Sequence, residues 1–338
     1  MLKQLLNVAT NRMHTLPILV LMPHSRCNCR CVMCDIWKAN HNKQEISVIE
    51  LQKHVGQFKQ LGVKEVVFSG GEALMHTNLW RLTKLLRDEN MELTLLSTGL
   101  LIETHAEQIV RDFRDVILSI DGSQPVHDRI RNVPRGFEKI TSGIKALKTL
   151  QPSFRTTARC VLQKQNFTDL VNIVRATEAI GIDQVSFLAA DVSSTAFNHG
   201  NNLGQTANEV ILNLDECLAF EEIVENSFTL LKNAYESRFI AESPGKMRKL
   251  VQYYKAINGL DAFPHVACNA PWVSAVLESD GRVMPCFFHE PYGNIYEQGF
   301  LETINSPKAI LFRKDLVVSK NAVCQRCVCS LNRRLRIG

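Results

Sequence analysis

Eleven cysteines stand in this 338-residue chain, and most of them fall into groups. Four lie between Cys27 and Cys34 and three between Cys324 and Cys329, with Cys268 and Cys286 between those groups and Cys160 and Cys217 isolated. Disulfide scaffolds are normally short and exported, whereas tight cysteine groups in a long chain point to metal or iron–sulfur ligation. In the first group, Cys27-x3-Cys31-x2-Cys34 is compact enough for three thiolates to converge on one [4Fe–4S] cube, leaving its fourth iron open. Cys29 adds a fourth cysteine, so a closed four-cysteine site, zinc or iron–sulfur, is the alternative, and spacing does not separate the two.

Two further motifs carry polar chemistry. In Phe68-Ser69-Gly70-Gly71-Glu72 the paired glycines let backbone approach a ligand closely, and the carboxylate suits an ammonium group. Arg159 offers a planar fork for a carboxylate, with a simple surface ion pair as the alternative. Near the end, Ser279-Asp280-Gly281-Arg282 reads as a hairpin turn that would bring Cys268 and Cys286 together across two strands. With a Cys-x2-Cys pair, those two would complete four ligands for one closed cube, or for zinc. Cys160, on a strand, and Cys217, on a helix, are expected to be buried small apolar residues.

The elements that must position these residues show as an alternation. Strands are expected at Pro17–Met22, Glu65–Ser69, Leu93–Ser97, Val116–Ile120, Thr156–Leu162 and Gln184–Ala189. Helical periodicity falls between them at Val48–Leu61, Asn78–Glu89, Ala106–Phe113, Phe137–Leu150 and Asp169–Ile180, with Gly62 and Gly181 placed as caps. The fold class is α/β: a partial (β/α)6 barrel resembling the TIM barrel, too few units for the closed form. Catalytic groups gather at the carboxyl ends of such strands, where Ser69–Glu72, Ser97–Gly99 and Ser119–Gly122 lie. The polar segment Asp191–Asn213 follows the sixth strand on that side and could cover substrate or simply connect. Asp191 and His199 in it are candidate bases, each with an ordinary loop residue as the alternative. A helix over Cys217–Tyr235 leads out of the barrel. A second pattern, from about Pro244, carries the late cysteines, dividing the chain into a barrel over 1–240 and a small cluster domain over 241–338.

On these residues the chain resembles the radical S-adenosylmethionine (SAM) superfamily, which pairs the three-cysteine loop with Gly-Gly-Glu on the next strand. The resemblance implies that Cys27, Cys31 and Cys34 hold a [4Fe–4S] cluster whose open iron takes the amine and carboxylate of SAM. It also implies that Gly70, Gly71 and Glu72 hold the amine, that Met33 lies near the adenine, and that Cys29 is a bystander. Ser119-Ile120-Asp121-Gly122, then His127-Asp128-Arg129-Ile130-Arg131 and Gly136-Phe137, is similar to the signature of anaerobic sulfatase-maturating enzymes and their peptide-modifying relatives. There Ser119 is implied to contact SAM and Asp121 to lie near the active site, while His127, Asp128 and Arg131 form a structural polar network; Thr98 is a weaker contact. Cys268-x12-Gly281-x4-Cys286 resembles the start of the SPASM extension, and five late cysteines suit a shortened, twitch-like version with one auxiliary [4Fe–4S] cluster. Its ligands would be Cys268, Cys286, Cys324 and Cys327, with Cys329 as the alternative fourth.

The implied activity is reductive cleavage of SAM to a 5′-deoxyadenosyl radical that abstracts a substrate hydrogen, oxidising or crosslinking a peptide, protein or small metabolite. A non-catalytic iron–sulfur or zinc scaffold is the rival reading. The implied partner is a reductant such as flavodoxin or ferredoxin. Bulk numbers agree with a folded chain: 45% hydrophobic, 22% charged and a formal +5. Aromatics at 7% and that mild charge do not suggest a nucleic-acid face. The apolar run Leu16–Pro23 is far short of the ~20 residues of a membrane helix and precedes cysteines rather than a cleavage site, so a cytoplasmic location is expected. Arg333, Arg334 and Arg336 read as a solvated basic tail.

Overall fold

Short β-rich runs and amphipathic stretches take up the expected strand–helix repeat in the computed structural model, which describes residues 2–199 and 203–333. Helix α1 (Leu2–Thr10) precedes β1 (Ile18–Met22), and α2 (Val48–Gln60), β2 (Glu65–Phe68), α3 (Leu79–Arg87) and β3 (Glu92–Ser97) follow. Then come α4 (Ala106–Asp112), β4 (Asp115–Ser119), α5 (Gln124–Arg131), α6 (Gly136–Leu150), β5 (Arg155–Leu162), α7 (Leu170–Ala179) and β6 (Gln184–Ala189). The boundaries have local causes. The Ser47 hydroxyl accepts the Glu50 N–H to open α2, and Gly62 and Gly181 sit at positive φ just past α2 and α7. Helix α5 is absent from the sequence expectation: it opens on Pro125 in its first turn and stops at Asn132 in the left-handed region.

Strands β1 to β6 pair in sequence order, all parallel, so their carboxyl ends share one edge. This is the expected partial barrel. Leu19, Leu21, Val66, Phe68, Val116 and Leu118 are buried along it. Cys160 and Cys217 are fully buried, as their apolar reading requires.

The sheet does not end with these six strands. Beyond β6 come α8 (Leu203–Val210), α9 (Leu214–Leu230), α10 (Lys232–Glu236), α11 (Pro244–Ile257) and α12 (Ala270–Val273). The helix expected over Cys217–Tyr235 is therefore two, and α9 starts at a capping box made by Asn213 and Glu216. Strand β7 (Ser274–Glu278) then runs parallel to β1, pairing Ile18 with Ser274 and Met22 with Glu278. Strands β8 (Arg282–Met284) and β9 (Gly293–Asn294) add antiparallel, giving the order β6-β5-β4-β3-β2-β1-β7-β8-β9. Three short helices, α13 (Phe300–Ile304), α14 (Pro307–Asp315) and α15 (Ala322–Gln325), close the described chain; Arg334 and Arg336 lie outside it. Among the described residues no helix is long and apolar enough to cross a membrane.

Candidate functional site

The loop after β1 carries the first cysteine group and is tied down from three sides. Asn40 brackets Cys27, its Oδ1 accepting the Cys27 N–H at 3.0 Å and its Nδ2 donating to the Cys27 carbonyl at 2.8 Å. The N–H groups of Arg30 and Val32 donate to the carbonyls of Arg131 and Ile130, the last residues of α5. Asp35 N–H donates to the Phe197 carbonyl, and Asn198 Nδ2 to the Asp35 carbonyl. Cys27, Cys31 and Cys34 line one cavity of about 250 Å³. Cys29 is 2% exposed and is not part of that lining. Its thiol instead donates toward Cys31, which, with Arg131 and against burial, holds Cys31 near 7, whereas burial pushes Cys34 up to about 12.

The turn after β2 explains its own glycines. A Cβ on Gly71 would stand 2.2 Å from the Arg26 carbonyl oxygen, and one on Gly70, at φ +117°, 2.9 Å from that of His24. The turn is therefore pressed against the start of the cysteine loop, and Glu72 N–H donates to the Arg26 carbonyl at 2.9 Å. The Glu72 carboxylate departs from expectation. It is 1% exposed, lies outside the cavity lining, and accepts from the N–H groups of Leu74 and Thr98 and the hydroxyls of Ser97 and Thr98. Burial drives its proton affinity up and those donors oppose it. Glu72 thus braces the end of β3, which offers it donors at close range.

Of the residues expected around SAM, Met33, Gly70, Gly71, Thr98, Ser119 and Arg159 all line the cavity. Arg159 Nε is buried there without a hydrogen-bond partner among the described residues, so the surface ion-pair alternative has no partner on that nitrogen among them. Among the candidate bases only Asp191 reaches the cavity. His199 is fully buried behind the loop, its Nδ1 3.8 Å from Asp35, and burial lowers its proton affinity. Asp121 is fully buried and engaged by Arg131, also off the cavity wall. The sequence reading missed the far wall, made by Phe197, Phe287 and Phe288. The Phe197 and Phe287 rings are 6.4 Å apart and 26° from parallel. Phe197 holds φ +57°, a costly conformation for a bulky side chain. The adjacent Phe-Phe pair directly after Cys286 was the available signal.

The late cysteines converge, though not as drawn from sequence. The Ser279–Arg282 hairpin forms, with Gly281 at φ +85°, but Cys268 lies before α12 and not on a strand. What brings it in is Asn269. Its backbone N–H donates to the Leu331 carbonyl, and its side chain clamps Arg333 at 2.8 and 2.9 Å. Cys268, Cys286, Cys324, Cys327 and Cys329 then line one small cavity. Burial and neighbouring thiols push Cys286 up to about 12 and Cys324 up to about 11, and His289 Nε2 lies 3.3 Å from Cys324 Sγ. Cys329 differs from the other four in also lining the larger cavity.

A cavity lined by three thiols, a glycine turn and an arginine whose Nε has no partner among the described residues fits an iron–sulfur cluster and its organic ligand. Comparison with known families gives the same answer. Residues 21–177 match the radical SAM superfamily model, and residues 268–328 an iron–sulfur cluster-binding domain, SPASM. The chain is a radical SAM protein with a SPASM domain. Its cofactors are a [4Fe–4S] cluster, SAM and auxiliary iron–sulfur ligation. This radical SAM chain is 23% identical to Fe-coproporphyrin III synthase from Methanosarcina barkeri, over 95% of its own length and 84% of that protein's. It is also 23% identical to AdoMet-dependent heme synthase from the same organism, over 85% and 81%. Among solved structures it is similar in fold to Streptococcus suis SuiB bound to precursor peptide SuiA, with a TM-score of 0.65 and 15% identity, over 97% of this chain and 74% of that one.

Proposed function

We propose that this chain cleaves SAM reductively and directs the resulting radical to a substrate lying between the two cysteine cavities. The observation that carries this is the cavity itself, whose lining brings Cys27, Cys31 and Cys34 together with the Gly70–Gly71 turn, Ser119 and Arg159. When bound, the reduced cluster and SAM supply one chemistry: a 5′-deoxyadenosyl radical that takes a substrate hydrogen. In this reading Cys27, Cys31 and Cys34 are the ligands, and the backbone of Gly70 and Gly71 receives the amine end of SAM. Arg159 takes its carboxylate through the free Nε, while Met33 and Ser119 flank the adenosyl part. Glu72 keeps Thr98 in place, and Asp191 is the group able to accept a proton. Cys268, Cys286, Cys324 and Cys327 hold the auxiliary cluster, which leaves Cys329 facing substrate. The aromatic wall excludes water from the radical. A one-electron donor such as flavodoxin or ferredoxin is required.

For the substrate, the near-parallel Phe197 and Phe287 rings favour a planar apolar face, as a tetrapyrrole would present, over an extended peptide. Two relatives that span most of the chain bear tetrapyrrole names, which supports the same choice. The test is anaerobic reconstitution with assay of iron, sulfide and 5′-deoxyadenosine, followed by titration with Fe-coproporphyrin III. About eight irons per chain, SAM cleavage lost in Cys31→Ala, and a shifted Soret band are expected. Bound zinc without cleavage would refute the enzyme reading in favour of a scaffold. Cleavage stimulated by a peptide and not by porphyrin would refute the tetrapyrrole choice.

A further inference from the structure

Beside the first cysteine loop lies a charged pair that none of the chemistry above uses; Arg131 lines the cavity and Asp121 is buried beyond it. Arg131, the last residue of α5, points one arm at a cluster-loop sulfur, Nη1 standing 3.5 Å from Cys31 Sγ. Its other arm meets Asp121, with Nη2 2.5 Å from Oδ2. The two side chains are 10% and 0% exposed, so water and salt screen them little. Their placing is rigid. The carbonyls of Ile130 and Arg131 receive the Val32 and Arg30 N–H groups, so the guanidinium and the loop move together. Asp121 Oδ1 accepts the Val161 N–H at 2.8 Å, anchoring the carboxylate to β5.

The electrostatics have a definite sense. Burial alone would favour loss of the Arg131 proton, but Asp121 and then Cys31, Cys29 and Cys27 outweigh it, so the guanidinium stays charged. Burial raises the Asp121 carboxyl on balance, with the Arg131 charge and the Val161 N–H pulling the other way. The pair is thus a fixed dipole with its positive end at the sulfur. A buried cation without such a counter-charge would be left uncompensated, which is a reason for Asp121 to be there.

We propose that Arg131 and Asp121 set the reduction potential of the cluster at the first cysteine loop, Arg131 raising it and Asp121 lowering it. This rests on the assignment of Cys31 as a cluster ligand. Reduction adds negative charge to the cluster, so a cation donating to a ligand sulfur favours the reduced form and a carboxylate opposes it. Arg131 is a tuning residue here: it lines the cavity and acts through its contact with a proposed ligand sulfur.

The test uses full-length wild type, Asp121→Asn, Arg131→Met and Arg131→Lys, reconstituted without oxygen and first assayed for iron and sulfide. Each is then titrated potentiometrically without SAM and followed by EPR, the auxiliary cluster serving as an internal reference that should not move. Asp121→Asn is expected to raise the potential and Arg131→Met to lower it. Each should change the reduced-to-oxidised ratio about tenfold at fixed potential, about 59 mV for a one-electron couple. Arg131→Lys keeps the charge and should stay closer to wild type than Arg131→Met. Shifts in the same direction for Asp121→Asn and Arg131→Met would mean only that the loop has loosened, and would overturn the proposal. So would an unmoved Asp121→Asn, which decides the matter even where Arg131→Met fails to load. Wild-type protein that takes up no iron would refute the ligand assignment itself.

Discussion

Gly71→Ala should do damage out of proportion to one methyl group. The added Cβ would stand 2.2 Å from the Arg26 carbonyl oxygen, 2.5 Å from the carbonyl carbon and 3.0 Å from the Cys27 nitrogen. An ordinary carbon–oxygen contact needs about 3.3 Å, so the turn and the cysteine loop must part by roughly 1 Å. All three obstructing atoms are backbone, so no side chain can swing away. The Glu72 N–H bond to the Arg26 carbonyl, 2.9 Å long, would be stretched or lost with them. Overpacking of this kind costs about 1–3 kcal/mol and the hydrogen bond about 1 kcal/mol more. A loss of about 2–4 kcal/mol corresponds to a fall in Tm of roughly 3–6 °C for a chain of this size. Anaerobic scanning calorimetry of the reconstituted protein reads the stability, and isothermal titration with SAM reads the cradle. SAM affinity should fall by at least about tenfold, since the displaced backbone is the part proposed to meet the amine. A Gly71→Ala protein with wild-type Tm and wild-type SAM affinity would refute the claim that this close approach holds the site.

Gly56→Ala is the opposite case: the glycine is exposed in the middle of α2 with nothing within 4 Å, so the substitution should stabilise by roughly 0.5–1 kcal/mol in the same calorimetry. Cys29→Ala should keep the iron content of wild type, since Cys29 lies outside the cavity lining, whereas Cys31→Ala should lose about half the iron. Equal iron loss in both would return Cys29 to the ligand set. Burial, and then the Arg131 charge, lowers the His127 pKa to about 3, so the folded state keeps this imidazole neutral. Below the unfolded value of about 6.5 the unfolded chain binds a proton that the folded one refuses. Stability should therefore fall with falling pH, by up to roughly 1.4 kcal/mol per unit, until about pH 3. Urea midpoints at pH 7.5 and 5 should show that slope in wild type and a flatter one in His127→Gln.

The barrel strands were legible because each is a β-rich apolar run bounded by turn residues, and Gln184–Ala189 was found to the residue. The cavity followed from the same logic, since motifs ending parallel strands must meet at one edge. Helix α5 escaped notice because it is charged and short, with Val126 and Ile130 as its main apolar residues. The β7–β1 pairing escaped too: parallel partners far apart in sequence leave no local mark, and β7 looks like any other hairpin arm. The inward turn of Glu72 depends on donors presented by Ser97 and Thr98, which a motif read alone does not reveal. Arg131 was read as part of a network with His127 and Asp128, whereas its side chain pairs with Asp121 and meets Cys31, contacts visible only when α5 is docked on the cysteine loop.

Strand β7 has a meaning for how this molecule can be taken apart. Because it lies against β1, the late cysteines and the early ones hang from neighbouring strands of one sheet. A chain truncated before Cys268 would strip the cover from β1, whose sequence is Ile-Leu-Val-Leu-Met, and leave a bare apolar edge ready to recruit another strand. The two halves therefore cannot be exchanged like beads on a string. A relative that dispenses with the later cysteines must still find something else to seal that edge.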